Sequence, residues 1–207
     1  MQRPQASRIG ILGGTFNPVH LGHLILAQSA LEACDLSKVL FIPCGVPPHK
    51  NPGFLIEAKH RLAMVRAALA GDPRFEASDV EIRRPGISYA VDTVAHLREL
   101  YQGAELVFIL GSDTLGELYL WKSIYSLMTL CRFAVFCRPG FDVRTMQAAS
   151  LHIESPWAER LAEGVVMGRQ IDISSSDIRY RIAEGMSIRY LVPLEVERYI
   201  AEHGLYG

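Results

Sequence analysis

The sequence contains no stretch of the ~18 continuous apolar residues that a membrane span requires, and its amino-terminal "MQRPQASR" has no hydrophobic signal core. Both absences lead to the expectation of a cytoplasmic protein. Net charge is nearly absent too, with 21 Lys and Arg against 22 Asp and Glu. No global field therefore draws the chain to nucleic acid or a membrane, and any anion site must be built locally. Cysteine is scarce: Cys34, Cys44, Cys131 and Cys137 form no CxxC pair. Three of them adjoin or lie in apolar runs, as reduced, buried thiols do. There is no internal repeat, no low-complexity segment and no dense carboxylate cluster to cage a metal. What is there is 207 residues, 49% hydrophobic, enough to bury one sizeable core. A single domain over 1–207 is expected, with about 175–207 as a C-terminal helical extension.

Short apolar runs alternate with helical patterns: "RIGIL" then 21–34, "KVLFIP" then 57–70, "ELVFILG" then 113–127, "RFAVFC" then a short helix near 142–149. That alternation predicts parallel strands joined by helical crossovers, and the runs are continuous, as in strands buried on both faces. The expected fold class is α/β: a doubly wound, Rossmann-like parallel sheet with helices on both faces and a small C-terminal helical part. Residues 74–84 alternate more and predict a strand near an edge, followed by a helix in "YAVDTVAHLRELY". Beyond residue 150 the pattern loosens through "LHIES" and "GVVMG", then gives two helices at about 175–184 and 194–203. The proline-rich "IPCGVPPHKNPG", 42–53, reads as an irregular loop after a strand, where open α/β sheets bind ligands. With Gly45 and Gly53 it is expected to close over substrate.

Two segments carry the chemistry. In "GGTFNPVHLGHL", 13–24, Gly13 and Gly14 allow a sharp turn that brings backbone N–H groups close to a ligand. A helix opening near His20 or Leu21 adds unpaired amides and a partial positive charge, favourable to phosphate. His20 and His23 are one helical turn apart and share a face. Zinc binding is disfavoured, because Leu21 stands where a zincin has its glutamate. In "ISSSDIRYRI", 173–182, Ser174 and Asp177 are spaced as N-cap and N3, and Arg179 adds a permanent cation within about a turn. In the middle of the chain, His49 and Lys50 are either an exposed basic tip or a phosphate contact. Trp121 is either core or a flat surface for an aromatic base. Asp113 falls at the carboxyl end of a predicted strand.

"GGTFNPVHLGH" resembles the GxFxPxHxGH signature of the nucleotidyltransferase superfamily, and "ISSSDIR" resembles its ISSTxIR signature, with Ser176 in place of threonine. "IPCGVPPHK", "EIRRPGISYAVDTV", "FILGSDTLGELYLWKSI", "CRPG" and "RYLVPLEVERYIAEHGLY" are similar, in that order, to the bacterial nicotinate-nucleotide adenylyltransferase family. The resemblance spans nearly the whole chain. It implies transfer of an adenylyl group from ATP to nicotinate mononucleotide, giving deamido-NAD and pyrophosphate in NAD biosynthesis. By the same resemblance His20, His23 and Arg179 are catalytic, and ATP is held by these three with Gly13, Gly14, Thr15, Phe16, Asp113, Ser174, Ser175 and Ser176. Nicotinate mononucleotide would be held by His49, Lys50, Ser88, Tyr89, Ala90, Trp121 and Arg138. Trp121 would stack on the pyridine ring, and Ala90 departs from the family's usual threonine. Mg²⁺ accompanies ATP, bridged by phosphates and water rather than protein ligands. Small molecules, not nucleic acid or membrane, are the expected partners, with a homo-oligomer left open. The rival readings are adenylylation of the amide mononucleotide or of phosphopantetheine, and a nucleotide-binding regulator without turnover.

Overall fold

The computed structural model describes residues 7–48, 55–138, 151–169 and 171–207. In chain order its elements are β1 (Arg8–Gly14), α1 (Leu21–Ala33), β2 (Lys38–Pro43), α2 (Ala58–Leu69), β3 (Phe75–Ala77), α3 (Val80–Arg83), α4 (Ala90–Leu100) and β4 (Glu105–Gly111). A 3-10 helix (Ser112–Leu120) follows, then α5 (Ile124–Leu130), β5 (Arg132–Phe136), α6 (Trp157–Glu163), β6 (Val165–Val166), α7 (Ser175–Ala183) and α8 (Leu194–Glu202). The sheet order is β3-β2-β1-β4-β5-β6, with every neighbouring pair parallel. The chain winds outward from β1 through β2 to β3, then crosses back to continue from β4 on the other side. The order therefore switches between β1 and β4, and a crevice opens at their carboxyl ends.

The unbroken apolar runs are explained by two cores. Successive strand residues face opposite sides. Ile9, Ile11, Leu40, Ile42, Phe108 and Val135 pack with Val94 and Leu97 of α4 and Leu127 of α5. Leu12, Val39, Phe41, Val107, Ile109 and Ala134 pack on the other face with Ala27 and Ala30 of α1, Val65 of α2, Ile178 of α7 and Val196 of α8. All four cysteines are free. Burial pushes the Cys44 thiol up to about 11 and Cys131 up to about 12, so both stay protonated at neutral pH. Among the described residues no helix is long and apolar enough to cross a membrane.

Three local expectations are corrected. The strand predicted over 74–84 stops at Ala77. Ser78 N–H still bonds Phe41 C=O, but Arg83 N–H then closes onto Asp79 C=O while the two side chains pair at 3.0 Å, so Val80–Arg83 coils into α3. The helix predicted over 113–127 is instead a 3-10 segment and a separate α5. Trp121 packs edge-on against Phe108 between them, and Ser123 breaks the run at φ 50°. The loosened region after residue 150 holds α6 and the short edge strand β6, which sequence reading passed over. The helix expected near 142–149 lies outside the described residues.

Candidate active site

β1 runs straight into the first glycine-containing segment: Gly13 and Gly14 still pair with Ile42 and Pro43 of β2. The turn that follows puts Phe16 at φ 47° with its side chain 1% exposed, a buried wedge under the loop. α1 then starts at Leu21 with His20 as its N-cap residue. The His20 N–H donates to His23 Nδ1 at 3.2 Å, so the proton of a neutral His23 imidazole sits on Nε2. The two rings lie 3.7 Å apart between centroids, and Phe16 meets the His23 ring edge-on at 4.9 Å.

His20 is only 3% exposed, and its Nδ1 has no hydrogen-bond partner among the described residues. Burial, helped by the positive charge of Arg138, lowers its pKa to about 4, so His20 is neutral at pH 7. It is therefore a hydrogen-bonding group rather than a cation. The next residue also departs from expectation: Leu21 N–H is not an open anion donor but bonds Leu191 C=O at 3.0 Å.

The second segment caps itself as its spacing predicts. Ser174 Oγ accepts from Asp177 N–H at 3.1 Å, and α7 follows. Its remaining side chains reach across to the first segment. Ser175 Oγ donates to Pro18 C=O at 2.9 Å, and Arg179 donates to Asn17 C=O at 2.8 Å and to Ser176 Oγ at 3.2 Å. The two segments thus form one wall, and they line a cavity of about 720 Å³ with Gly14, Thr15, Phe16, His20, His23, Ser174, Ser175, Ser176 and Arg179 on it. Asp113 and Arg138, paired at 3.5 Å, also line it, as does Asp172 beside the second segment.

A second cavity of about 360 Å³ shares Gly14 and Thr15 with the first. Gly13, Ser88, Tyr89, Ala90 and Trp121 line it, with Phe108, Glu81 and Lys122. Trp121 rests edge-on against Phe108 and also lines this cavity. Ser88 Oγ accepts from Gly45 N–H at 3.1 Å, a bond that ties the loop after β2 to the start of α4. Arg138, expected among the mononucleotide contacts, lines the larger cavity, near enough to His20 to depress its pKa. His49 and Lys50, with the rest of 49–53 of the loop expected to close, fall outside the described residues.

Sequence reading missed the residues that hold this cleft together. Arg61 of α2 is 1% exposed and donates to three carbonyls: Thr15 at 2.8 Å, Gly45 at 3.1 Å and Ile56 at 3.1 Å. Asn17 Oδ1 accepts from Tyr206 Oη at 3.0 Å and from Ile56 N–H at 3.4 Å. Arg61 in "KHRLAMVRAAL" carries no local signal of such a role, since two of its three partners, Thr15 and Gly45, are distant in sequence. Asp172 and Lys122 had a signal in their positions, one beside "ISSS" and the other beside Trp121.

The doubly wound sheet carries a polar cavity at its switch point, and the match of residues 11–181 to the family described as Cytidylyltransferase-like makes the chain a nucleotidyltransferase. A Thermomicrobium roseum protein named probable nicotinate-nucleotide adenylyltransferase is 46% identical over 200 residues, covering 97% of this chain and 92% of its own. One of the same name from Pelobacter propionicus is 43% identical over 212 residues, covering 97% and 98%. The chain belongs to the nicotinate-nucleotide adenylyltransferase family. Its fold is shared with Plasmodium falciparum nicotinic acid mononucleotide adenylyltransferase complexed with APC, at TM-score 0.73 and 19% identity over 97% of both chains. The same enzyme complexed with NaAD matches at TM-score 0.73 and 20% identity, again over 97% of both.

Proposed function

We propose that this chain joins ATP and nicotinate mononucleotide into deamido-NAD, releasing pyrophosphate, with the triphosphate in the larger cavity and the mononucleotide in the smaller. The observation that carries this reading is the shared boundary at Gly14 and Thr15, which brings a polar chamber and an aromatic one into contact. An oxygen of the mononucleotide phosphate attacks the α-phosphorus. A new P–O bond forms, the bond from the α-phosphorus to the bridging oxygen breaks, and pyrophosphate leaves with the electron pair. The attacking phosphate is already an anion, so no protein nucleophile is needed, and the protein must position the groups and offset charge.

His23 donates from Nε2 to the α-phosphoryl oxygens, its orientation set by the His20 N–H. Arg179 spends two donors on Asn17 and Ser176, which fix its guanidinium, and its charge faces the distal phosphates. His20, neutral and lining the same cavity, can serve a phosphate oxygen or its water only as a hydrogen-bonding group. Asp113 and Asp172 can hold the waters of a magnesium ion that arrives on the triphosphate, and among the described residues no group of three His, Cys, Asp or Glu side chains is placed to hold a metal. Bound there, that ion would neutralise phosphate charge. We read residues 1–207 as a single nucleotidyltransferase domain with 175–207 as its helical extension, working on small molecules in the cytoplasm.

The test is pyrophosphate release with ATP and each of nicotinate mononucleotide, nicotinamide mononucleotide and phosphopantetheine. Nicotinate mononucleotide is expected to be the best acceptor. His23→Ala should lower its turnover about a hundred- to thousandfold, the usual effect of removing one transition-state donor. Release with none of the acceptors would leave only nucleotide binding.

A further inference from the structure

The acid and amide forms of a pyridine mononucleotide have nearly the same shape and differ by one negative charge, so a site that chooses between them must sense charge or donor pattern. Among the described residues lining the smaller cavity, two are charged: Glu81 and Lys122. Glu81 is 8% exposed and already accepts from Thr93 Oγ1 at 2.7 Å. Lys122 directly follows Trp121, and its Nζ lies 4.3 Å from the Tyr89 ring centroid and 3.2 Å from Asp92 Oδ2 in the first turn of α4. The Lys122 and Asp92 side chains are 47% and 45% exposed. Such a solvated pair is weak, so an incoming carboxylate can compete for the ammonium at little cost. Ala90, at the start of the same helix, offers no side-chain hydroxyl for the task.

We propose that Lys122 is a specificity-determining residue: its ammonium, held at the cavity wall by Asp92 and the Tyr89 ring, pairs with the carboxylate of the bound pyridine ring and favours acid over amide. This rests on reading the smaller cavity as the mononucleotide site. A carboxamide gains no charge pairing from the same ammonium and still faces Asp92, so the choice falls on the charge alone.

The experiment measures kcat and KM for nicotinate and nicotinamide mononucleotides in the native protein, Lys122→Met and Lys122→Arg. In Lys122→Met, kcat/KM for the acid should fall about tenfold, chiefly through KM, while that for the amide changes less than about twofold. Lys122→Arg, which keeps the charge, should recover most of the loss. An acid-to-amide ratio within about twofold of the native value in Lys122→Met overturns the proposal, as does an equal loss for both substrates. If the native protein uses neither mononucleotide, the reading of the cavity itself fails first, and that arm is scored before any variant.

Discussion

His20 and His23 are one turn apart and in ring contact, yet their surroundings give them different work. His23 is oriented by a hydrogen bond on Nδ1, whereas His20 is buried with its own Nδ1 unpartnered. The burial has a thermodynamic consequence. The folded-state pKa of His20 lies near 4, below the ordinary value of 6.5, so between these values the unfolded chain takes up a proton that the folded one does not. Stability from this group is full above about pH 6.5 and is lost as pH falls toward 4, by about 3 kcal/mol in all. In urea denaturation, the native protein should lose about that much more stability than His20→Asn over this interval. Parallel curves would show that His20 is not buried as described. The residue types of this pair were legible in the motif, but their division of labour was not. The lowered pKa of His20 comes first from burial and then from the charge of Arg138, which lies in another part of the chain.

At the scale of the element, α1 matters for how it begins. A Cβ on Gly22 would stand 3.0 Å from both Cε1 and Nδ1 of His20, so the ring would have to give by a few tenths of an ångström. Alanine is intrinsically the better helix former by about 1 kcal/mol, so Gly22→Ala should leave denaturation midpoints within that range of native. It should nonetheless lower kcat at least about tenfold by displacing His20, as misplacement near a reacting centre does. Pyrophosphate release and urea denaturation on the same variant read the two effects apart. The elements themselves were mostly readable. Strands β1, β2, β4 and β5 are apolar without interruption because both faces are covered, and α7 shows its cap in Ser174 and Asp177. β6 has two residues, too few for any period, and the region from Ser112 to Leu130 was misread because a tertiary contact, Trp121 on Phe108, interrupts an otherwise helical pattern.

Across the whole molecule, the cleft depends on long-range polar ties more than on any single element. Arg61 joins the loops after β1 and β2 from beneath, and its charge is held in a desolvated place that lowers its pKa. Arg61→Met would remove three hydrogen bonds to inward carbonyls, and a loss of about 3 kcal/mol or more in urea denaturation is expected. Tyr206 and Leu191 fasten the carboxyl-terminal part to Asn17 and Leu21. No periodicity announces such ties, which is why the two signature segments were legible in the sequence but not what presses them together.

The narrow partition at Gly14 and Thr15 has a kinetic corollary. A dinucleotide made across it would occupy both chambers at once, seated where each reactant had been. Neither fresh reactant can enter until that molecule departs, so the pace of turnover is tied to how readily the protein lets go of what it has made.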